Sequence, residues 1–159
     1  MKHPFLITLL VLTIITGFAS YGKVAPVPSS TNSQNNCNNT DTMSNKIRIK
    51  IGSSSFTATL SDNITATAFK ALLPMTINMT ELNGNEKYFN LSNSLPANAS
   101  NPSTIQTGDL MLYGSNTLVL FYKKISTSYS YTKLGRVDDS AGLAAALGSG
   151  NVTVTFELQ

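Results

Sequence analysis

Thr107-Gly108-Asp109-Leu110-Met111-Leu112-Tyr113-Gly114-Ser115-Asn116-Thr117-Leu118-Val119-Leu120-Phe121-Tyr122-Lys123-Lys124 holds two apolar runs, Leu110–Tyr113 and Leu118–Tyr122. Gly114-Ser115-Asn116 joins them. Two apolar runs around a short Gly-containing connector predict a β-hairpin. The second run has almost no polar position, so both of its faces need cover, as at the centre of a sheet or barrel. The rest of the chain has to supply that cover.

Upstream, Ile47, Ile49 and Ile51 alternate with Lys46, Arg48 and Lys50, the period of a half-buried strand. Gly52–Ser55 turns into a second strand, with Phe56, Ala58 and Leu60 on one face and Thr57 and Thr59 on the other. A helix follows Ser61-Asp62-Asn63, with Thr65 as its N-cap and Ala66, Phe69, Leu72 and Leu73 as its apolar face. Pro74 stops it, because the residue before a proline is pushed out of the helical region. Met75, Ile77 and Met79 then alternate with Thr76, Asn78 and Thr80, and Asn83-Gly84-Asn85 turns the chain into Glu86–Leu91.

Residues 93–107, with Pro96 and Pro102, form a 15-residue loop without apolar period. Loops of that length are functional or disordered, and the residues leave both readings open. Downstream of the central hairpin, Ile125–Thr132 is polar and Tyr-rich, and Leu134–Val137 is a short strand. Asp138–Leu147 reads as a second helix, capped by Asp139 or Ser140 and stopped at Gly148. Val152, Val154, Phe156 and Leu158 alternate in the last strand. The sum is a mainly β domain over 46–159 with about eight strands. Such a count favours a closed barrel with a side-chain-filled interior and two short helices capping its open ends.

The chain ahead of residue 46 differs in kind. Met1-Lys2-His3 gives a positive start, Phe5–Ile15 is an apolar run of 11 residues, and Gly17 and Ala19 are small. That reads as an export signal over 1–22, because the run is short of the roughly 18 apolar residues of a membrane span; an uncleaved membrane anchor is the alternative reading. The expected location is periplasmic or extracellular, with no stable membrane insertion after cleavage. Residues 23–45, rich in Ser, Thr, Asn and Gln, bury almost nothing and read as a disordered polar linker. Its Cys37 is the only cysteine, so no intrachain disulfide forms; in an oxidising compartment its thiol can pair with another chain.

Composition closes off several chemistries. The only histidine is His3, so the mature chain cannot assemble Ser-His-Asp or Cys-His nucleophiles. One linker cysteine and no histidine leave no zinc site of the usual kind, and no phosphate-cradling Gly-rich loop is present. No cofactor or metal is expected. The net charge is only +3 and no aromatics interleave with Lys46, Arg48 and Lys50, so nucleic acid is not an expected partner. Asp138 and Asp139 read as caps, Asp109 as a turn residue, and Glu81 and Glu86, flanking the Asn83-Gly84-Asn85 turn, as exposed hairpin charges, with cation binding as their alternative. The six Asn-x-Ser/Thr triplets, at Asn38, Asn63, Asn78, Asn90, Asn98 and Asn151, are what a chain this rich in those residues produces by chance.

Phe56–Leu72, with its acidic turn, Thr-Ala helix start and Phe–x–Ala–Leu face, resembles the second strand and first helix of cyclophilins. Leu134-Gly135-Arg136-Val137 before an acidic helix start resembles their Phe-Gly-Lys-Val segment, and Asn116–Tyr122 is similar to the strand carrying their pocket phenylalanine. The likeness runs in order through most of 46–159 and is nearest to compact bacterial cyclophilin-like domains. It implies the barrel, and a groove on its outer face between Glu86–Leu91 and Leu118–Tyr122. Phe121 would then be the groove floor, Tyr113 a wall, and Lys87 with Tyr88 the donors at the rim.

Activity is another matter. Rotation about a prolyl bond faces a barrier of about 18–20 kcal/mol. Cyclophilins lower it with an arginine beside an apolar pocket. Where their Phe-His-Arg and Gln-Gly-Gly motifs belong, this chain reads Glu86-Lys87-Tyr88-Phe89-Asn90-Leu91. Its arginines are Arg48 and Arg136, it has no Trp, and a lysine ammonium does not reproduce a planar guanidinium. The expectation is a non-catalytic module for an unknown small ligand or peptide, with divergent peptidyl-prolyl cis-trans isomerisation as the alternative. No catalytic residue is assigned.

Overall fold

Ile47, Ile49 and Ile51 share one face of β1 (Lys46–Ile51) and are at most 3% exposed, as their alternation requires. They belong to a computed structural model that describes residues 44–159. The expected signal segment, Cys37 and all but the last two linker residues lie outside the described residues. The elements that follow β1 are β2 (Ser54–Leu60), α1 (Ile64–Lys70), β3 (Met75–Leu82), β4 (Glu86–Asn90), β5 (Thr104–Ile105) and β6 (Asp109–Tyr113). After them come β7 (Thr117–Phe121), β8 (Ile125–Ser126), β9 (Tyr131–Val137), α2 (Leu143–Leu147) and β10 (Val152–Leu158). Eight strands close into an antiparallel barrel in the order β1-β10-β3-β4-β7-β6-β9-β2. The fold is the mainly β closed barrel that the strand pattern predicts.

The interior is apolar and continuous. Ile47, Leu118, Leu120, Leu134, Val154 and Phe156 meet there with no exposed surface. Both helices feed the same cluster, α1 through Ala66 and Phe69, α2 through Leu143 and Leu147. The Phe69 and Phe156 rings meet edge to face at 5.8 Å and 85°, a geometry worth about 0.5–1.5 kcal/mol beyond the area buried. On the outside, Lys46 pairs with Asp138 at 2.7 Å and Lys50 with Glu157 at 2.9 Å. Pairs that exposed contribute at most about 1 kcal/mol each.

Three details differ from the sequence reading. Asn63, not Thr65, caps α1: its Oδ1 accepts the Ala66 N–H at 2.8 Å, and its Nδ2 donates to the Lys133 carbonyl at 2.8 Å. Thr65 is buried in the first turn instead, and Leu72 is 39% exposed rather than on the apolar face. α2 starts late, at Leu143, behind Gly142 in a left-handed conformation with no side-chain cap, while Asp139 accepts the Ala141 N–H in the preceding turn. Finally, the long loop, which the sequence leaves open between functional and disordered, contains a strand. Its β5 pairs with β8 as a separate two-stranded ribbon.

That ribbon supplies the second cover that the central hairpin needs. Leu118 and Leu120 of β7 face the interior, whereas Val119 and Phe121 face outward and are still no more than 3% exposed. The outward cluster joins them to Ile105 of β5, Met111 of β6 and Tyr131 of β9, with Ile125 of β8 and Tyr88 packed on it. β7 is apolar on both faces because it has a core on each side.

Candidate functional site

Period-two geometry decides which β4 residues can form a site. Lys87 and Phe89 point into the barrel; Glu86, Tyr88 and Asn90 point out. Strand register then sets two outward rows across the sheet. Tyr88 faces Val119, which faces Met111; Asn90 faces Thr117, then Tyr113, then Tyr131. Tyr129, from the segment between β8 and β9, meets Tyr113 edge to face at 6.1 Å and 88°. Tyr113 and Tyr131 lie 5.5 Å apart and tilted by 52°. A groove of about 390 Å³ opens here, with Val119 at its base, Tyr88, Tyr113, Tyr129 and Tyr131 around it, and Glu86 at one end. Aromatic and aliphatic walls with a few polar groups, here Asn83, Glu86, Asn90 and Thr117, are the usual makeup of a ligand site, and this volume sits near the lower end of the usual range.

Of the four residues expected at the site, the structure brings Tyr88 and Tyr113 together on the groove. Phe121 is not its floor. It is fully buried beside the groove, where its ring meets Tyr131 edge to face at 5.6 Å. Lys87 is not at the rim either. It shares the inward row of Phe89 and has no exposed surface. Its ammonium donates to the Glu81 carboxylate and to the carbonyls of Gly148, at 2.9 Å, and Gly150, at 2.6 Å. The Tyr122 hydroxyl also donates to Glu81, at 2.9 Å from both carboxylate oxygens. Tyr129, Tyr131 and Glu86 were missed as groove residues. The signal for Glu86 was its parity with Tyr88; for the tyrosines it was their two-residue spacing, which places both on one side of an extended chain.

Electrostatics distinguish the two carboxylates. Burial pushes the Glu81 carboxyl up, but hydrogen bonds from Lys87, Tyr122 and the Gly84 N–H, with the Lys87 charge, outweigh it and hold the group below the ordinary value of 4.5. Glu86 moves the other way. Burial raises its pKa and the Glu81 charge adds to that. Burial, then the Glu81 hydrogen bond and the nearby carboxylates, push the Tyr122 hydroxyl up to about 12. Tyr131 is likewise raised, by burial and then by Glu86. The acidic groups coupled to Glu86 are therefore Glu81, Tyr122 and Tyr131, and only Glu81 is charged near neutrality. A carboxyl with a raised folded pKa stabilises the fold fully below its unfolded pKa, and this contribution is lost as pH rises through the folded value. Glu86→Gln is expected to remove that loss. Its melting temperature should gain on wild type as pH rises above about 4.5 and match it in more acidic buffer. A pH-independent difference would contradict the assignment.

A second hollow lies around the flank of the sheet. Asp109 Oδ2 accepts the Gln106 N–H at 2.8 Å, the turn role that the sequence predicts. Its Oδ1 has no hydrogen bond among the described residues and faces Lys133 at 3.9 Å and Arg136 at 3.8 Å. This hollow carries the charged groups Asp109, Lys133 and Arg136, and Tyr131, shared with the first groove, is its one aromatic residue. No three His, Cys, Asp or Glu side chains cluster as a metal site would among the described residues.

Residues 49–157 match the model of a family described as the cyclophilin-like family. The solution structure of a hypothetical protein from Archaeoglobus fulgidus superposes with a TM-score of 0.52 at 19% identity, covering 74% of this chain and 96% of that one. At that identity the likeness speaks to the fold. No curated protein matches the chain.

Proposed function

The chain belongs to the cyclophilin-like family, and from that premise we propose that it is an exported, non-catalytic binding module that takes a small ligand or a peptide segment in the tyrosine groove. The observation that carries this reading is the groove itself: four tyrosines and one half-buried carboxylate around Val119, on the outer face of a barrel whose interior is filled. A filled interior leaves ligand binding to the outer face and the loops. The non-catalytic part is supported by the groove lining, which contains no arginine, and by the inward direction of Lys87. Export is supported by the charged start, the apolar run and the small residues at Gly17 and Ala19.

The test joins a thermal-shift screen to an isomerase assay. Compounds that raise the melting temperature of wild type should fail to do so for Tyr113→Ala. That variant should melt near wild type unliganded, because Tyr113 is 46% exposed. An X-Pro peptide should isomerise at its spontaneous rate, over tens to hundreds of seconds, with or without the protein. Stabilising ligands that bind Tyr113→Ala equally well would remove the groove from the account. A protein-dependent acceleration would restore the isomerase alternative.

A further inference from the structure

Glu86 is a half-buried carboxylate with nothing to hold it. Among the described residues no hydrogen bond or ion pair reaches its oxygens; burial and the charge of Glu81 are what act on it. Its neighbour Glu81 is the contrast, engaged by Lys87, Tyr122 and the Gly84 N–H. Its oxygens keep contact with solvent, yet a carboxylate that has lost about half its hydration gains from a counter-charge, since desolvation of a lone charge is costly. Glu86 lines the groove, and the other groove walls are tyrosine rings, two asparagines, Thr117 and apolar groups, none of them charged. Lys123, the cation over the Tyr122 ring at 5.9 Å, is not part of the lining. The groove therefore carries one unbalanced negative charge among electron-rich ring faces.

We propose that the groove binds a small organic cation, a primary or quaternary ammonium or a guanidinium on a compact body, with its charge against Glu86 and its body against the tyrosines. This rests on the binding reading above and names its ligand class. A carboxylate supplies the counter-charge, and tyrosine faces attract cations through the ring quadrupole. An anionic ligand would face Glu86 without any basic side chain in the lining to offset it. A neutral sugar could stack on the rings but would leave the carboxylate without its counter-ion. The volume of about 390 Å³ favours a small molecule over a peptide.

The experiment is an amide chemical-shift titration of the domain with phenethylammonium and with its neutral isostere 2-phenylethanol. Cellobiose and the blocked peptide acetyl-Gly-Lys-Gly-amide are the other arms. Phenethylammonium should move groove resonances and bind more tightly than the alcohol by about tenfold or more, the equivalent of roughly 1.4 kcal/mol. Glu86→Gln should erase that preference, and Tyr129→Ala, at a residue 62% exposed, should weaken the amine without affecting the fold. Equal binding of amine and alcohol, or an amine preference that survives Glu86→Gln, overturns the cation assignment. Groove binding by cellobiose or the peptide but not the amine overturns it too, while leaving the binding reading intact. If none of the four probes moves groove resonances, both fall.

Discussion

Lys87→Met is expected to destabilise the domain by about 3–5 kcal/mol, the usual consequence of removing one partner from a buried charge pair. For a domain of this size that is a loss of about 10–20 °C in melting temperature. Lys87 has no exposed surface, and it ties the β3 carboxylate of Glu81 to the Gly148 and Gly150 carbonyls between α2 and β10. Methionine fills much of the volume but supplies no donor. Two carbonyls, the Glu81 carboxylate and the Tyr122 hydroxyl would then be left with a diminished network. Replacing both charges, as in Lys87→Met with Glu81→Leu, should cost less than the sum of the single changes, because no uncompensated charge remains. The pH dependence follows from the lowered Glu81 pKa. Its contribution is present above the ordinary value of about 4.5 and is lost as pH falls through the folded value. Chemical denaturation of the single and double variants at neutral pH checks the claim, and a neutral Lys87→Met would place Lys87 in water.

Gly135→Ala is expected to cost about 1–3 kcal/mol, toward the upper end of what overpacking usually costs. Gly135 lies opposite Leu60 of β2 on one side and Leu110 of β6 on the other. A Cβ there would come within 2.5 Å of the Thr59 carbonyl oxygen and 3.0 Å of the Leu60 Cα. Both are backbone atoms, so no rotamer change relieves the contact; β2 and β9 have to separate. Urea unfolding should show a lower midpoint with an unchanged slope, since the variant alters stability and not the surface exposed. A midpoint within error of wild type would show that β2 and β9 do not approach this closely.

Much of the barrel was legible because alternation is a local signal. Ile47-Arg48-Ile49-Lys50-Ile51 and Val152–Leu158 declare their faces in the primary sequence, and the all-apolar Leu118–Tyr122 announces a strand covered twice. The identity of the second cover was not legible. β5 and β8 are two residues each, below the length at which any period can be recognised. The α1 cap was readable in principle, since Asn outranks Thr at that position, but Thr65 stood nearer the apolar residues of the helix.

Lys87 was the most misleading residue. It shares parity with Phe89, which is the correct signal for an inward side chain. Lysine is so rarely buried unpaired that a hairpin lysine reads as solvated, and its partners come from Glu81 and from residues 61 and 63 positions away. The groove was half legible for the same reason. Tyr88 and Tyr113 follow from strand parity and the family resemblance. Tyr131 reaches Tyr113 only through the β6–β9 register, with its bulge between Leu110 and Met111, which no local pattern encodes.

The claim that the tyrosine groove is the binding surface is tested most directly by intermolecular NOEs between a bound ligand and the 13C-labelled tyrosine rings of the protein. The account predicts contacts from the ligand to Tyr88, Tyr113, Tyr129 and Tyr131. Contacts confined to the Asp109–Lys133–Arg136 hollow, or to interior methyl groups such as those of Leu118 and Leu120, would contradict it.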